Sequence, residues 1–109
     1  MENKIQVVRY FRKNRRKDVA IYVRGNNEAM QEIVCKLYAV DKDYSVRYTT
    51  RHLEDVNFCD IVLVADPSRI SRNRMEYTKI IKDLKAKGIE VESVAKENSD
   101  IHDIFSAWF

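Results

Sequence analysis

The sequence predicts an α/β fold, a three-layer α/β/α domain around a four-stranded, mainly parallel sheet. Three observations predict it. Asp60–Ala65 contains an almost purely apolar run rich in β-branched residues, as expected of a strand buried on both faces. That run passes through a polar turn, Asp66-Pro67-Ser68, into a stretch with the apolar period of a helix. The same succession of buried strand and amphipathic helix recurs along the chain, which implies parallel strands joined by right-handed crossovers. A chain of 109 residues builds one such domain with a core that needs no disulfide or metal.

Residues 1–17 read as a basic arm and residues 18–109 as the domain. Asp18–Val23 is a buried strand, turned over by Arg24-Gly25-Asn26-Asn27, where Asn26 or Asn27 can cap the next helix. That helix spans roughly Glu28 to Asp41. Met30, Ile33, Val34 and Leu37 recur at i, i+3, i+4, i+7 and are read as its core face. Tyr44–Tyr48 alternates as the second strand and Asp60–Ala65 is the third. Between them His52–Phe58 supplies at most two helical turns, close to the lower limit for a parallel crossover. A second long helix, about Ser71 to Lys87, places Tyr77, Ile81 and Leu84 on one face and stops at Gly88, a natural residue for a helix C-terminus. Ile89–Val94 is the fourth strand, and Asn98–Phe109 reads as a terminal helix carrying Ile101, Ile104, Phe105 and Trp108 on one face. The expected sheet order is second, first, third, fourth.

Net charge is +3, but its distribution is uneven. Residues 1–17 hold seven basic side chains against one acid, while the remaining 92 residues hold 13 basic and 16 acidic groups. An arm of this kind binds phosphate backbones without sequence preference. Val7, Val8, Tyr10 and Phe11 inside it favour the alternative that part of it packs against something. Cys35 and Cys59 have no CxxC spacing, and His52 and His102 stand alone, so neither a metal nor a cofactor is expected. Two unpaired thiols suit a reducing cytoplasm, and no apolar run reaches the length of a membrane span.

Arg69, Arg72 and Arg74 cluster after the third strand, at the edge where ligands of open α/β sheets bind. Cations at a helix N-terminus are disfavoured by about 0.3–1 kcal/mol each. An anion held between them reverses that penalty, and phosphate is the first candidate.

With those pieces placed, Tyr22-Val23-Arg24, Gln31, Val62-Leu63-Val64, the run Ser68-Arg69-Ile70-Ser71-Arg72-Asn73, Leu84 and Gly88-Ile89-Glu90-Val91 resemble the catalytic domain of the serine recombinases of the resolvase/invertase group. The resemblance covers about residues 18–95. That family opens with Y-x-R-V-S-T and carries D-R-L-S-R-N after its third strand. It implies a serine that attacks a DNA phosphodiester while arginines neutralise the phosphate. By that resemblance the site residues are Arg24, Asn26, Gln31, Arg69 and Arg72, with Asn26 at the position of the nucleophile.

An amide cannot form the phosphoester. Ser68 replaces the aspartate of the second motif, Asn27 stands for the threonine after the nucleophile, and the crossover that should carry a further arginine is pared down. Arg51 is a candidate for that arginine. Within these 109 residues neither the family's long dimerising helix nor a separate DNA-binding domain follows the fourth strand. The resemblance therefore implies an inactive recombinase-like module of a mobile element such as a phage, binding DNA weakly through its arm, or a recombinase, or itself. The alternatives are an enzyme using Ser68 or Ser71 as nucleophile with Asp66 as base, and an α/β interaction module whose arginines are tied up by acids of the same chain.

Overall fold

β1 (Asp18–Tyr22) and β3 (Ile61–Val64) are adjacent and parallel at the centre of the sheet, in register Val19 to Ile61, Ala20 to Val62 and Ile21 to Leu63. These residues are apolar at odd and even positions alike, and a strand with that pattern is stable only with both faces covered. The computed structural model describes residues 16–95. β2 (Ser45–Thr50) pairs with β1, and β4 (Glu90–Ser93) pairs with β3, both parallel. The predicted fold class holds: the sheet has four parallel strands in the order β2-β1-β3-β4.

Two apolar clusters fill the two faces. On one, Val19, Ile21, Val23, Ile61, Leu63 and Ala65 pack against Val34, Cys35 and Ala39 of α1 (Glu28–Asp41). On the other, Ala20, Tyr22, Val62 and Val64 pack with Ile70, Ile89 and Leu84 of α2 (Arg74–Ala86). Each fully buried aliphatic side chain contributes about 1.5–3 kcal/mol, so the β1–β3 pair anchors both layers.

α1 turns a different face inward from the one its large apolar residues predict. Gln31, Val34, Cys35 and Ala39 are buried, whereas Ile33 is 46% exposed and Val40 79% exposed. Both stripes have helical spacing, and two things select between them. The small side chains of Cys35 and Ala39 let the helix approach the sheet closely, and backbone groups of the preceding turn draw Gln31 in. Met30 still packs at the margin of the cluster, and Leu37 is half-buried.

α2 begins at Arg74, later than the predicted Ser71. A 3-10 turn, Pro67–Arg69, precedes it, with Asp66 accepting the Ser68 N–H. Asn73 caps α2 by accepting the Glu76 N–H at 3.0 Å. Its inner face is Tyr77, Ile80 and Leu84, not Ile81.

The β2–β3 crossover is as short as the sequence predicts. A single 3-10 turn, Leu53–Asp55, spans it, and Val56 plugs the sheet beneath. The Tyr48 hydroxyl fastens the return by accepting from Asn57 N–H at 3.2 Å and donating to Asn57 O at 3.1 Å. Within the described residues no helix is long and apolar enough to cross a membrane. The first fifteen residues of the arm and the predicted terminal helix lie outside the described residues. Arg16, at the arm's end, pairs with Asp43 at 3.1 Å.

Candidate functional site

The C-terminal ends of β1 and β3 are neighbours, so the turns that follow them face each other. After β1 the chain passes through Gly25, with φ +80°, and Asn27, with φ +63°. At Gly25 a side chain is disfavoured twice, by the left-handed backbone and by Arg69 Nη1, which would lie 3.3 Å from an added Cβ. Asn27 occupies the N-cap position of α1 in a left-handed conformation, and its side chain makes no capping bond, contrary to the capping role expected of it.

Gln31 holds this turn instead. It is completely buried, accepts from the Arg24 N–H at 3.1 Å, and donates to Arg24 O at 2.8 Å and Asn26 O at 2.7 Å. One side-chain amide thus satisfies three backbone groups of a turn that has left the sheet ladder.

The turn after β3 is organised by Asp66, which is 2% exposed. Its Oδ1 accepts from the Ser68 N–H at 3.0 Å and from the Ser68 hydroxyl, and its Oδ2 accepts from Arg69 Nε at 3.2 Å. Arg69 Nη1 then donates to Arg24 O at 3.2 Å, and Arg24 Nη1 donates to Ile70 O at 3.4 Å. The two turns are thereby cross-linked in both directions. Burial pushes the Tyr22 phenol above its usual pKa, while the Arg24 guanidinium beside it pulls the other way.

Arg24, Arg69 and Arg72 converge on one cavity of about 360 Å³, which Ser68, Ser71 and Asn73 also line. Glu76 is the acid of this lining, and it accepts from the Ser71 hydroxyl at 3.3 Å. Three cations against one anion leave a surplus of positive charge beside the N-terminus of α2, an arrangement suited to a dianion or a phosphodiester. Of the three arginines, Arg69 is salt-bridged to an acid of the chain, and its partner Asp66 is itself buried. Arg72 is exposed and has no ion pair among the described residues.

The other predicted residues separate from this cavity. Arg74 is the first residue of α2 and is not in the lining. Asn26 is exposed, and it meets the site through its carbonyl oxygen, held by Gln31. Gln31 supports the site from behind without facing it. Arg51 is ion-paired to Glu28 and lines a different cleft, with Thr49, Thr50 and His52. Burial raises the Cys35 thiol to about 12, so it is not a nucleophile. No group of three or more potential metal ligands occurs among the described residues.

Sequence reasoning missed Asp66 as the organiser of the second turn and Gly25 as the point of closest approach. Both signals were visible: Asp-Pro-Ser is an Asx-turn pattern, and glycine directly follows the arginine.

The model of the family described as "Resolvase, N terminal domain" matches residues 26–106. No match to this chain is found among curated proteins or among solved structures. The chain belongs to the resolvase N-terminal domain family, the catalytic domain of serine recombinases, whose members act on DNA.

Proposed function

We propose that this member of the family binds a DNA phosphate in the Arg24–Arg69–Arg72 pocket without cleaving the strand. The observation that carries the reading is the convergence of Arg24 with Arg69 and Arg72, which come from turns on two different strands. Arginines brought together in this way have unfavourable mutual repulsion that an anion relieves. The absence of chemistry follows from the residue at the position of the family's serine. Asn26 has no hydroxyl, and its turn presents a carbonyl that is already hydrogen-bonded.

The basic arm adds contacts to the phosphate backbone that carry no sequence information. The module acts within a reducing cytoplasm as part of a mobile element such as a phage, holding DNA or a recombinase partner in place of catalysing exchange.

One observation favours a second reading, in which Ser68 is a nucleophile. Its hydroxyl lines the arginine pocket and donates to the buried Asp66 carboxylate. The same carboxylate, however, also accepts from a backbone N–H and is ion-paired to Arg69, which commits it to the turn. Asp66 is better understood as an anchor than as a base.

The test is incubation with supercoiled and linear DNA followed by a denaturing gel. No covalent adduct is expected. An adduct mapped to Ser68 or Ser71 overturns the inactive reading. Asn26→Ser is expected to stay inactive, because the crossover that should carry a further arginine is a single 3-10 turn.

A further inference from the structure

We propose that the arginine pocket and the apolar cleft beside it form one site for a nucleoside monophosphate unit, with the phosphate among the arginines and the base in the cleft. The inference rests on the phosphate reading above and names the ligand class of that same site. The cleft measures about 590 Å³ and is lined by Tyr22, Leu53, Ile70, Ile80 and Leu84, together with Arg24. Its origin is the shortened crossover. Where a full crossover helix would flank α2, the chain offers the Leu53–Asp55 turn, which leaves this part of the sheet face open.

Arg24 lines both cavities, and it is held at the seam between them. Its Nη1 donates to the carbonyl of Ile70, a residue of the cleft, and its guanidinium lies beside the Tyr22 phenol. A guanidinium fixed at such a border can face a phosphate on one side and stack on a base on the other. The volumes of both cavities fall within the range of small-molecule sites, roughly 300–1,000 Å³.

Charge fixes the orientation. At the cleft Glu54 and Asp83 balance Arg24 and Lys87, so it lacks the positive surplus of the arginine pocket, and its carboxylates can accept hydrogen bonds from an exocyclic amine. Adenine, cytosine and guanine carry that amine and thymine does not. The two carboxylates favour an amino-bearing nucleotide, free or at the end of a strand.

The test titrates the full chain by calorimetry with inorganic phosphate, deoxyribose 5-phosphate, dAMP, dTMP, and a tri-deoxyadenylate with and without a 5′-phosphate. Binding of dAMP at least tenfold tighter than inorganic phosphate, and tighter than dTMP, is expected. The trinucleotides assign the source: a 5′-phosphate effect as large as that of dAMP marks a strand end, and its absence marks the free nucleotide.

Ile80→Trp and Leu53→Trp fill the cleft from different elements. Each should reduce dAMP to the level of phosphate while inorganic phosphate binds within twofold of the parent, with a thermal melt confirming the fold of each variant. Phosphate binding with no gain for dAMP overturns the composite site and leaves the phosphate reading standing. That result is also the one expected if another apolar stretch of the chain occupies the cleft. Failure of every phosphate-bearing ligand to bind overturns both.

Discussion

Replacing Gln31 tests whether the arginine pocket is built from behind. Gln31→Met keeps side-chain length and removes the acceptor for Arg24 N–H and the donors to Arg24 O and Asn26 O. Arg24 O keeps a partner in Arg69 Nη1, so two backbone groups, Arg24 N–H and Asn26 O, are left to find water. A fully buried orphan costs about 1–3 kcal/mol, and this turn is partly open to solvent, so a total loss of about 2–3 kcal/mol is expected. That is a large share of the roughly 5–15 kcal/mol that holds a domain of this size together.

Gln31→Glu is the sharper variant. It keeps an acceptor but sets a buried carboxylate against two carbonyl oxygens, and protonation restores one donor. The ionised form is disfavoured in the fold, so the folded pKa of this glutamate rises above its unfolded value. The destabilisation is therefore larger at pH 7 and shrinks as pH falls toward 5. Urea unfolding at the two pH values measures both variants, and a phosphate titration at each shows whether Arg24 has moved. A Gln31→Met variant within 0.5 kcal/mol of the parent at about the precision of such measurements, with unchanged phosphate affinity, refutes the role of Gln31.

Arg72→Ala should leave the melting temperature unchanged, since Arg72 is exposed and makes no ion pair among the described residues, yet weaken phosphate binding about tenfold or more. Arg69→Ala should do both, losing roughly 1–3 kcal/mol because it strands the buried Asp66 carboxylate with only Ser68 as partner; calorimetry and thermal melts separate the two variants. The folded-state pKa values of Cys35 and Tyr44 are raised, each to about 12, by burial first and by nearby carboxylates next. Between their ordinary values of 9.0 and 10.0 and about 12 the unfolded chain releases protons that the folded chain keeps, so stability should fall as pH rises through that window; a denaturation midpoint that is flat from pH 9 to pH 11 would contradict this. Deleting residues 1–17 should abolish most duplex binding and flatten a log–log salt slope of about −4 to −5, as measured by fluorescence anisotropy; equal affinity before and after the deletion excludes the arm.

The central strands were legible because Val19–Tyr22 of β1 and all of β3 are apolar at odd and even positions alike, a pattern that leaves them nowhere but the centre of a sheet. The length of the crossover was equally legible, since ten residues between Thr50 and Ile61 leave room for little more than one turn. The inner face of α1 was not. Its sequence carries two stripes of helical spacing, and the choice between Ile33 and Cys35 depends on how near the sheet lies, which no local window contains. The start of α2 was misplaced for a similar reason. Ser71 is a competent cap, but Asp66 draws the chain into a 3-10 turn first, and Ser71 Oγ ends by accepting the Asn73 N–H at 3.0 Å. At the site, the arginines were identifiable as a pattern, while the division of labour among them required three dimensions. Asp66 commits Arg69, Ile70 commits Arg24, and Arg72 stays available.

The proposed function needs an arginine pocket that stands without a nucleophile, and this division of labour supplies one. In the first turn the side chain of Asn26 holds nothing that the fold needs: the turn is fixed by Gln31 on its backbone and by left-handed geometry at Gly25 and Asn27. In the second turn Asp66 supplies the order, with Ser68 and Arg69 arrayed on its two oxygens. Each turn then pins an arginine of the other through a main-chain carbonyl. On the proposed reading, an amide in place of a hydroxyl at position 26 removes the attacking group and leaves every contact that positions Arg24 and Arg69 in place. Apart from the arginines themselves, the positions where a substitution should disturb binding are Gln31, Gly25 and Asp66, which act through the turns they hold. The proposal of binding without cleavage rests on this separation: the groups that orient the cations are not the group that would attack.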